Sequence, residues 1–254
     1  MTLRLEKKGK VAHLLIDRPE KRNAFNQAMW ELLPELLADA MADDAIRVLM
    51  LHASRKDSAF CAGADIGEFA TGSSDPEWRA RNQAAIGRVQ HELAQAPKPT
   101  IAIVDGDCVG GGCGIALACD MRVAAPGARF GITPSKLGLV YPLHDTKLLV
   151  DLVGPSQAKR ILFTGQLLSA QQALDIGLIT LLADDPYAEA EALAATMASV
   201  SLHSQTMSKS IIKRILDGQA DDDAETSALF DSAFESDDFK EGVSAFMEKR
   251  KPEF

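Results

Sequence analysis

Three observations predict an α/β fold. Short apolar runs of strand length alternate with segments of helical spacing from residue 1 to about 185. One such run, Thr100–Val104, leads through a glycine triplet into an apolar helix. From about residue 186 onward only helical patterns remain.

The elements follow in order. Residues 2–7 and 11–16 read as two strands around a Lys7–Lys10 turn containing Gly9, a hairpin pattern. Pro19 to Asn23 reads as a loop. Gln27–Met41 carries Met29, Leu32, Leu33, Leu36, Leu37, Ala40 and Met41 at helical spacing, and Pro34 must kink that helix or mark its first turn. Val48–Leu51 and Thr100–Val104 are short apolar strands, the second announced by Pro97 and Pro99. Between them lie a small-residue loop, Phe60–Asp65, and a polar helical stretch from about 75 to 95. The apolar Cys113–Cys119 helix precedes another strand, Met121–Ala125. Helices are then expected at Glu189–Val200, Ser204–Leu216, Ala224–Phe234 and Phe239–Lys249, with the acidic Asp217–Asp223 segment as a solvated linker. This tail is too thin to bury its own apolar faces, so it should pack on the first part or on another subunit. The division is residues 1–190 as core and 191–254 as helical appendage.

Composition narrows the function classes. The 254 residues are 46% apolar and 25% charged, which excludes long disorder and collagen-like repeats. No stretch of about 18 uncharged apolar residues exists to span a membrane, and the amino terminus shows no signal-peptide h-region. A cytoplasmic protein is expected. With 27 basic and 36 acidic residues the net charge is −9, which repels nucleic acid unless the basic residues cluster. The four cysteines (Cys61, Cys108, Cys113, Cys119) form no CxxC pair and read as buried small hydrophobes. His13, His52, His91, His144 and His203 show no ligand spacing, so no metal site is expected.

Three constellations carry chemistry. In Phe60-Cys-Ala-Gly-Ala-Asp-Ile66, small residues let the backbone approach a ligand. In Val104–Asp120 a strand runs into Gly110-Gly111-Gly112 and then a helix, whose free N–H groups and dipole suit an anion or a developing oxyanion; tight strand–helix packing is the alternative. No Gly-Lys-Ser/Thr follows, and no dinucleotide fingerprint is present. The third, Phe130 to Thr146, embeds Thr133, Tyr141, His144 and Asp145 in apolar sequence, where buried polar groups need partners.

In this order the segments resemble the enoyl-CoA hydratase/isomerase family, the crotonase superfamily. The resemblance covers nearly the whole chain, from Asp17-Arg18-Pro19 and Asn23-Ala24 through Phe163-Thr164-Gly165 to Glu241-Gly242 and Glu248-Lys249-Arg250. It implies a crotonase-like spiral of ββα repeats with a C-terminal helical trimerisation region, assembled as trimers or dimers of trimers. It implies an acyl-CoA thioester substrate and an enolate held by the N–H groups of Ala64 and Gly111. It implies CoA contacts from Lys21, Arg22, Ala24, Ala62, Ala64 and Ile66, and from Phe246 and Lys249, often of a neighbouring subunit. No cofactor is implied beyond the coenzyme A of the substrate.

The chain departs from the hydratases it resembles. Their two glutamates fall at Gly114 and Pro134, and neighbouring Cys113, Ile115, Thr133 and Ser135 supply no carboxylate. General acid–base groups contribute about 10²–10⁴-fold each, so ordinary hydration should be slow. Thr133-Pro134-x-x-Leu137-Gly138-x-x-Tyr141 is similar to the matching stretch of methylmalonyl-CoA decarboxylases, although those carry His at the position of Ala64. That similarity implies decarboxylation of a malonyl-type thioester, with Tyr141 orienting the leaving carboxylate. A second reading keeps hydratase or isomerase chemistry with His144 and Asp145 as acid and base. A third is a non-catalytic acyl-CoA-binding protein. Aryl dehalogenation is disfavoured, because the nucleophilic Asp of that branch aligns with Pro142.

Overall fold

The computed structural model describes residues 2–254. The chain opens with β1 (Leu3–Lys8) and β2 (Val11–Ile16), then α1 (Gln27–Ala42), β3 (Val48–Ala53), α2 (Ile66–Gly72) and α3 (Pro76–Ala94). It continues through β4 (Thr100–Val104), β5 (Asp107–Val109), α4 (Gly111–Ala118), β6 (Met121–Ala124) and β7 (Arg129–Gly131). Then come α5 (Leu143–Thr164), β8 (Leu168–Ser169), α6 (Ala170–Asp175) and β9 (Leu181–Leu182). Four helices close it: α7 (Pro186–Ala198), α8 (Leu202–Leu216), α9 (Ala224–Glu235) and α10 (Asp237–Glu248).

Two sheets result. The larger has the order β1-β2-β3-β4-β6-β9, antiparallel only at the β1–β2 hairpin. The smaller has the order β5-β7-β8. Successive residues of a strand face opposite sides, and the central strands are apolar on both. Leu49, Leu51, Ala102 and Val104 enter the main core with α1, α3 and α4. Val48, Met50, Ile101 and Ile103 face Ala190 and Ala194 of α7. The α7 helix is therefore part of the core, and the boundary expected at 190 falls inside it. The appended helices begin at Leu202.

Several elements differ from the sequence expectation. Pro34 lies mid-way along α1, buried, and the helix runs on past it. Its first turn is instead capped by Asn26, whose side chain accepts from Met29 N–H at 3.0 Å. Pro19–Lys21 forms a 3₁₀ turn rather than open loop. The segment after Asp65 forms the short helix α2, with Asp65 accepting from Gly67 N–H at 2.9 Å. The long α5 carries no clean apolar stripe and breaks at Gly154, where φ is 72° ahead of Pro155.

All four cysteines are buried thiols, and burial pushes Cys61 and Cys119 up to about 12. Helix α8 is tied to the core where Lys209 Nζ meets Asp120 at 2.8 Å. Much of the apolar surface of the tail stays uncovered in the single chain, including Ile212, Ile215, Phe230, Phe234 and Phe246. No described helix is long and apolar enough to cross a membrane.

Candidate active site

The loop after β3 is stitched into place from both sides. Cys61 N–H donates to Asp107 O at 3.1 Å, and Val109 N–H donates to Cys61 O at 2.9 Å. On the other side Phe25 N–H donates to Gly63 O and Asp65 N–H donates to Phe25 O, each at 2.8 Å. In such a parallel bridge the residue between the bonded pair turns its own N–H away. Ala64 therefore directs its N–H away from Phe25. Gly63 makes the bend possible: its φ is 98°, and a Cβ there would lie 3.0 Å from Val109 O and 3.4 Å from Gly111 N.

Gly111 opens α4, so its N–H has no partner one turn earlier. A Cβ on Gly111 would stand 3.8 Å from Ala64 N and 3.1 Å from Trp30 Cη2. The structure thus brings together Ala64 and Gly111, with the helix dipole of α4 behind them. Two outer contacts fix the loop. Arg18 Nη1 pairs with Asp65 Oδ2 at 2.8 Å and donates to Ala24 O at 2.9 Å. Asp65 is partly desolvated, but Arg18 and Gly67 N–H hold its carboxyl below the usual range. Buried Asn23 bridges Arg18 N–H and Ala59 O at 2.8 and 2.7 Å.

The expected CoA contacts fall into two groups. Arg22 and Ala62 line a cavity of about 250 Å³ with Val109, Arg129, Thr133 and Lys136. Arg22 is paired with Asp107 there, and Arg129 grips the same carboxylate at 2.7 and 2.8 Å. Ala24 is buried below the cavity-lining loop, Lys21 is exposed, and Ile66 is exposed at the start of α2. Phe246 lies on α10 and Lys249 caps it, with α9 as the main packing partner. The cavity's residues Arg129 and Lys136 escaped the sequence reading; their charge, just before and within the third constellation, was the available signal.

Around Gly114 the structure gathers polar groups in the interior. The Tyr141 hydroxyl is buried without a hydrogen-bond partner, and burial pushes its pKa up. Asp145 is 3% exposed, and burial raises its carboxyl to about 7. His144 Nδ1 lies 3.7 Å from Asp145 Oδ1. Its ring packs on His91 with centroids 5.5 Å apart, and both line a separate cavity with Leu117, Lys147 and Ile212. Burial lowers the His144 pKa. Gln90, unmarked by any motif, is fully buried and contacts the Asp145 carboxyl. Pro134, at the second expected glutamate position, starts a 3₁₀ turn.

Comparison with known proteins agrees with this architecture. A family profile described as enoyl-CoA hydratase/isomerase matches residues 6–254. A crotonyl-CoA hydratase of Syntrophomonas wolfei is 35% identical, over 98% of this chain and 96% of that protein. A short-chain-enoyl-CoA hydratase of Clostridium acetobutylicum is 32% identical, over 98% and 95%. The crystal structure of an enoyl-CoA hydratase/isomerase family protein from Hyphomonas neptunium superposes with a TM-score of 0.97 at 38% identity, covering 100% of this chain and 97% of that one. The chain belongs to the enoyl-CoA hydratase/isomerase family and has the crotonase fold.

Proposed function

We propose that the protein is an acyl-CoA enzyme that holds a thioester enolate on the N–H groups of Ala64 and Gly111, and that it decarboxylates a malonyl-type thioester. The observation that carries the second part is the Tyr141 hydroxyl. It is buried, unpartnered, and 3.0 Å from where a Cβ on Gly114 would be, at the position of the absent hydratase glutamate. An unpaired buried hydroxyl costs about 1–3 kcal/mol unless a ligand pairs with it.

The chemistry needs no base. The C–C bond to the carboxylate breaks, CO₂ leaves, and the electron pair moves into the thioester carbonyl. Ala64 and Gly111 stabilise the oxygen charge that develops, a contribution of about 3–4 kcal/mol per donor in such sites. One proton then adds to the α-carbon. Tyr141 orients the carboxylate before cleavage. Arg22, Arg129 and Lys136 supply local positive charge for the anionic CoA in a chain of net charge −9. The uncovered apolar faces of α8–α10 support assembly with further copies, as the family resemblance implies.

Incubation with malonyl-, methylmalonyl-, ethylmalonyl- and crotonyl-CoA, followed by mass spectrometry, tests the reading. Loss of CO₂ from one malonyl ester is expected. Hydration of crotonyl-CoA at ordinary enzyme rates, with no CO₂ from any malonyl ester, would sink it. That outcome would favour a second reading, in which Asp145, raised to about 7 by burial, serves as the acid–base group. Two relatives are named as hydratases, which supports hydration as the alternative reaction. Tight binding without turnover would favour the non-catalytic reading.

A further inference from the structure

The indole of Trp30 is fully buried, and its N–H has no hydrogen-bond partner. A buried donor without a partner is costly, and a phenylalanine would carry no such donor. What tryptophan adds over phenylalanine is the outer ring, and that ring touches Gly111. A Cβ on Gly111 would stand 3.1 Å from Trp30 Cη2 and 3.2 Å from Cζ2. The ring edge therefore lies directly against the Gly111 Cα. The loop after β3 closes in as well: a Cβ on Gly63 would stand 3.4 Å from Gly111 N. Gly111 is held between the loop backbone and the indole.

Trp30 also reaches the second donor, through Phe25. The two rings pack with centroids 4.7 Å apart and planes tilted by 48°. The Phe25 backbone brackets Ala64: its N–H donates to Gly63 O and its carbonyl accepts from Asp65 N–H, each at 2.8 Å. Between the two aromatic residues lies the cap of α1. The Asn26 side chain accepts from Met29 N–H at 3.0 Å, and its carbonyl accepts from Trp30 N–H at 3.1 Å. Residue 25 thus carries Ala64, residue 30 backs Gly111, and one capped turn fixes the two relative to each other.

We infer that Trp30 is a positioning residue that sets the span between the N–H groups of Ala64 and Gly111. The inference rests on the oxyanion reading above. Phe25 supports the indole on the loop side, and the outer ring edge limits the movement of Gly111. Two donors can serve one developing oxygen charge only if their separation is set before the charge builds, because preorganised dipoles stabilise it without rearranging.

Infrared difference spectroscopy of bound propionyl-CoA, isotope-labelled at the thioester carbonyl, tests the inference. Hydrogen bonds to the carbonyl oxygen weaken the C=O bond, so the band of the wild-type complex should lie below that of free propionyl-CoA. Trp30→Phe retains a ring to pack on Phe25 and removes the edge at Gly111. It should lose at least about half of that displacement, as expected when one of two donors moves out of place. Phe25→Leu takes away the support of the indole and should move the band in the same direction. Leu37, also buried, lies two helical turns further along α1. Leu37→Ala should lower stability to denaturant without moving the band. A wild-type displacement that survives in Trp30→Phe overturns the inference while sustaining the oxyanion reading. An equal loss in Leu37→Ala also overturns it, by tracing the effect to general loosening of the core. A wild-type band at the free frequency, or no binding of the ester, overturns the oxyanion reading and the inference with it.

Discussion

The end of the Gln90 amide stands 2.3 Å from the point where Gly114 would carry a Cβ, so α3 and α4 meet where any side chain at 114 must displace that amide. The two residues are distant in sequence and share one volume.

Gly114→Ala should therefore destabilise the fold by about 1–3 kcal/mol, the usual cost of overpacking. Adding Gln90→Ala should recover part of that loss. Denaturant titration of the single and double variants measures the coupling, and strictly additive losses would show that the contact carries none of it.

Gly111→Pro removes one proposed oxyanion donor at a helix position where proline is tolerated. Trp30 Cη2, 3.1 Å from the Cβ position, must yield by a few tenths of an ångström. Circular dichroism should be unchanged, while turnover of a confirmed substrate falls about 10²–10³-fold. Unchanged turnover in a folded variant would remove Gly111 from the mechanism.

Asp145 makes stability fall as pH rises. Its folded value, about 7, lies above the ordinary value of 3.8, so the folded state binds more protons across that window. Asp145→Asn should gain on the wild type as pH increases from about 4 to about 7, by at most about 4 kcal/mol. Unfolding curves at several pH values test this, and parallel profiles for the two proteins would contradict it.

The histidine pair between β2 and β3 acts in the opposite sense. His13 Nδ1 and His52 Nε2 lie 3.2 Å apart, and His52 Nδ1 lies 2.8 Å from Ala53 O. That contact makes His52 Nδ1 the donor, so His13 Nδ1–H donates to His52 Nε2. Burial lowers both pKa values, so the unfolded state binds more protons once pH drops through about 6.5. His13→Asn keeps a donor and removes one titrating group. Its loss of stability in acid should be shallower by about one proton, read from the slope of unfolding free energy against pH.

Arg22→Ala should weaken acyl-CoA binding about tenfold at low salt, with the difference shrinking as salt screens the charge. Calorimetry with propionyl-CoA at two ionic strengths checks it. Equal affinities at low salt would make Arg22 a partner of Asp107 alone.

By itself the sequence determined the elements whose patterns are local. The β1–β2 hairpin, β3, β4 and β6 declare themselves by apolar runs, and α1, α3 and α4 by spacing and the glycine triplet. The small-residue loop and the glycine triplet are local patterns of the same kind, whereas the choice of Ala64 and Gly111 within them rests on the family resemblance. Strands β5, β7, β8 and β9 were not legible: they are two or three residues long and exist through pairings such as Asp107 with Arg129 and Arg129 with Ser169. Helix α5 hid behind its missing stripe and its break at Gly154. Gln90 reads in sequence as one more polar residue on a polar helix. Only the packing of α3 against a side-chain-free stretch of α4 buries it and sets it against Asp145. Desolvation sums over neighbours far apart in the chain, so the residues that are polar could be read from the sequence, while the tertiary structure decided which of them left water.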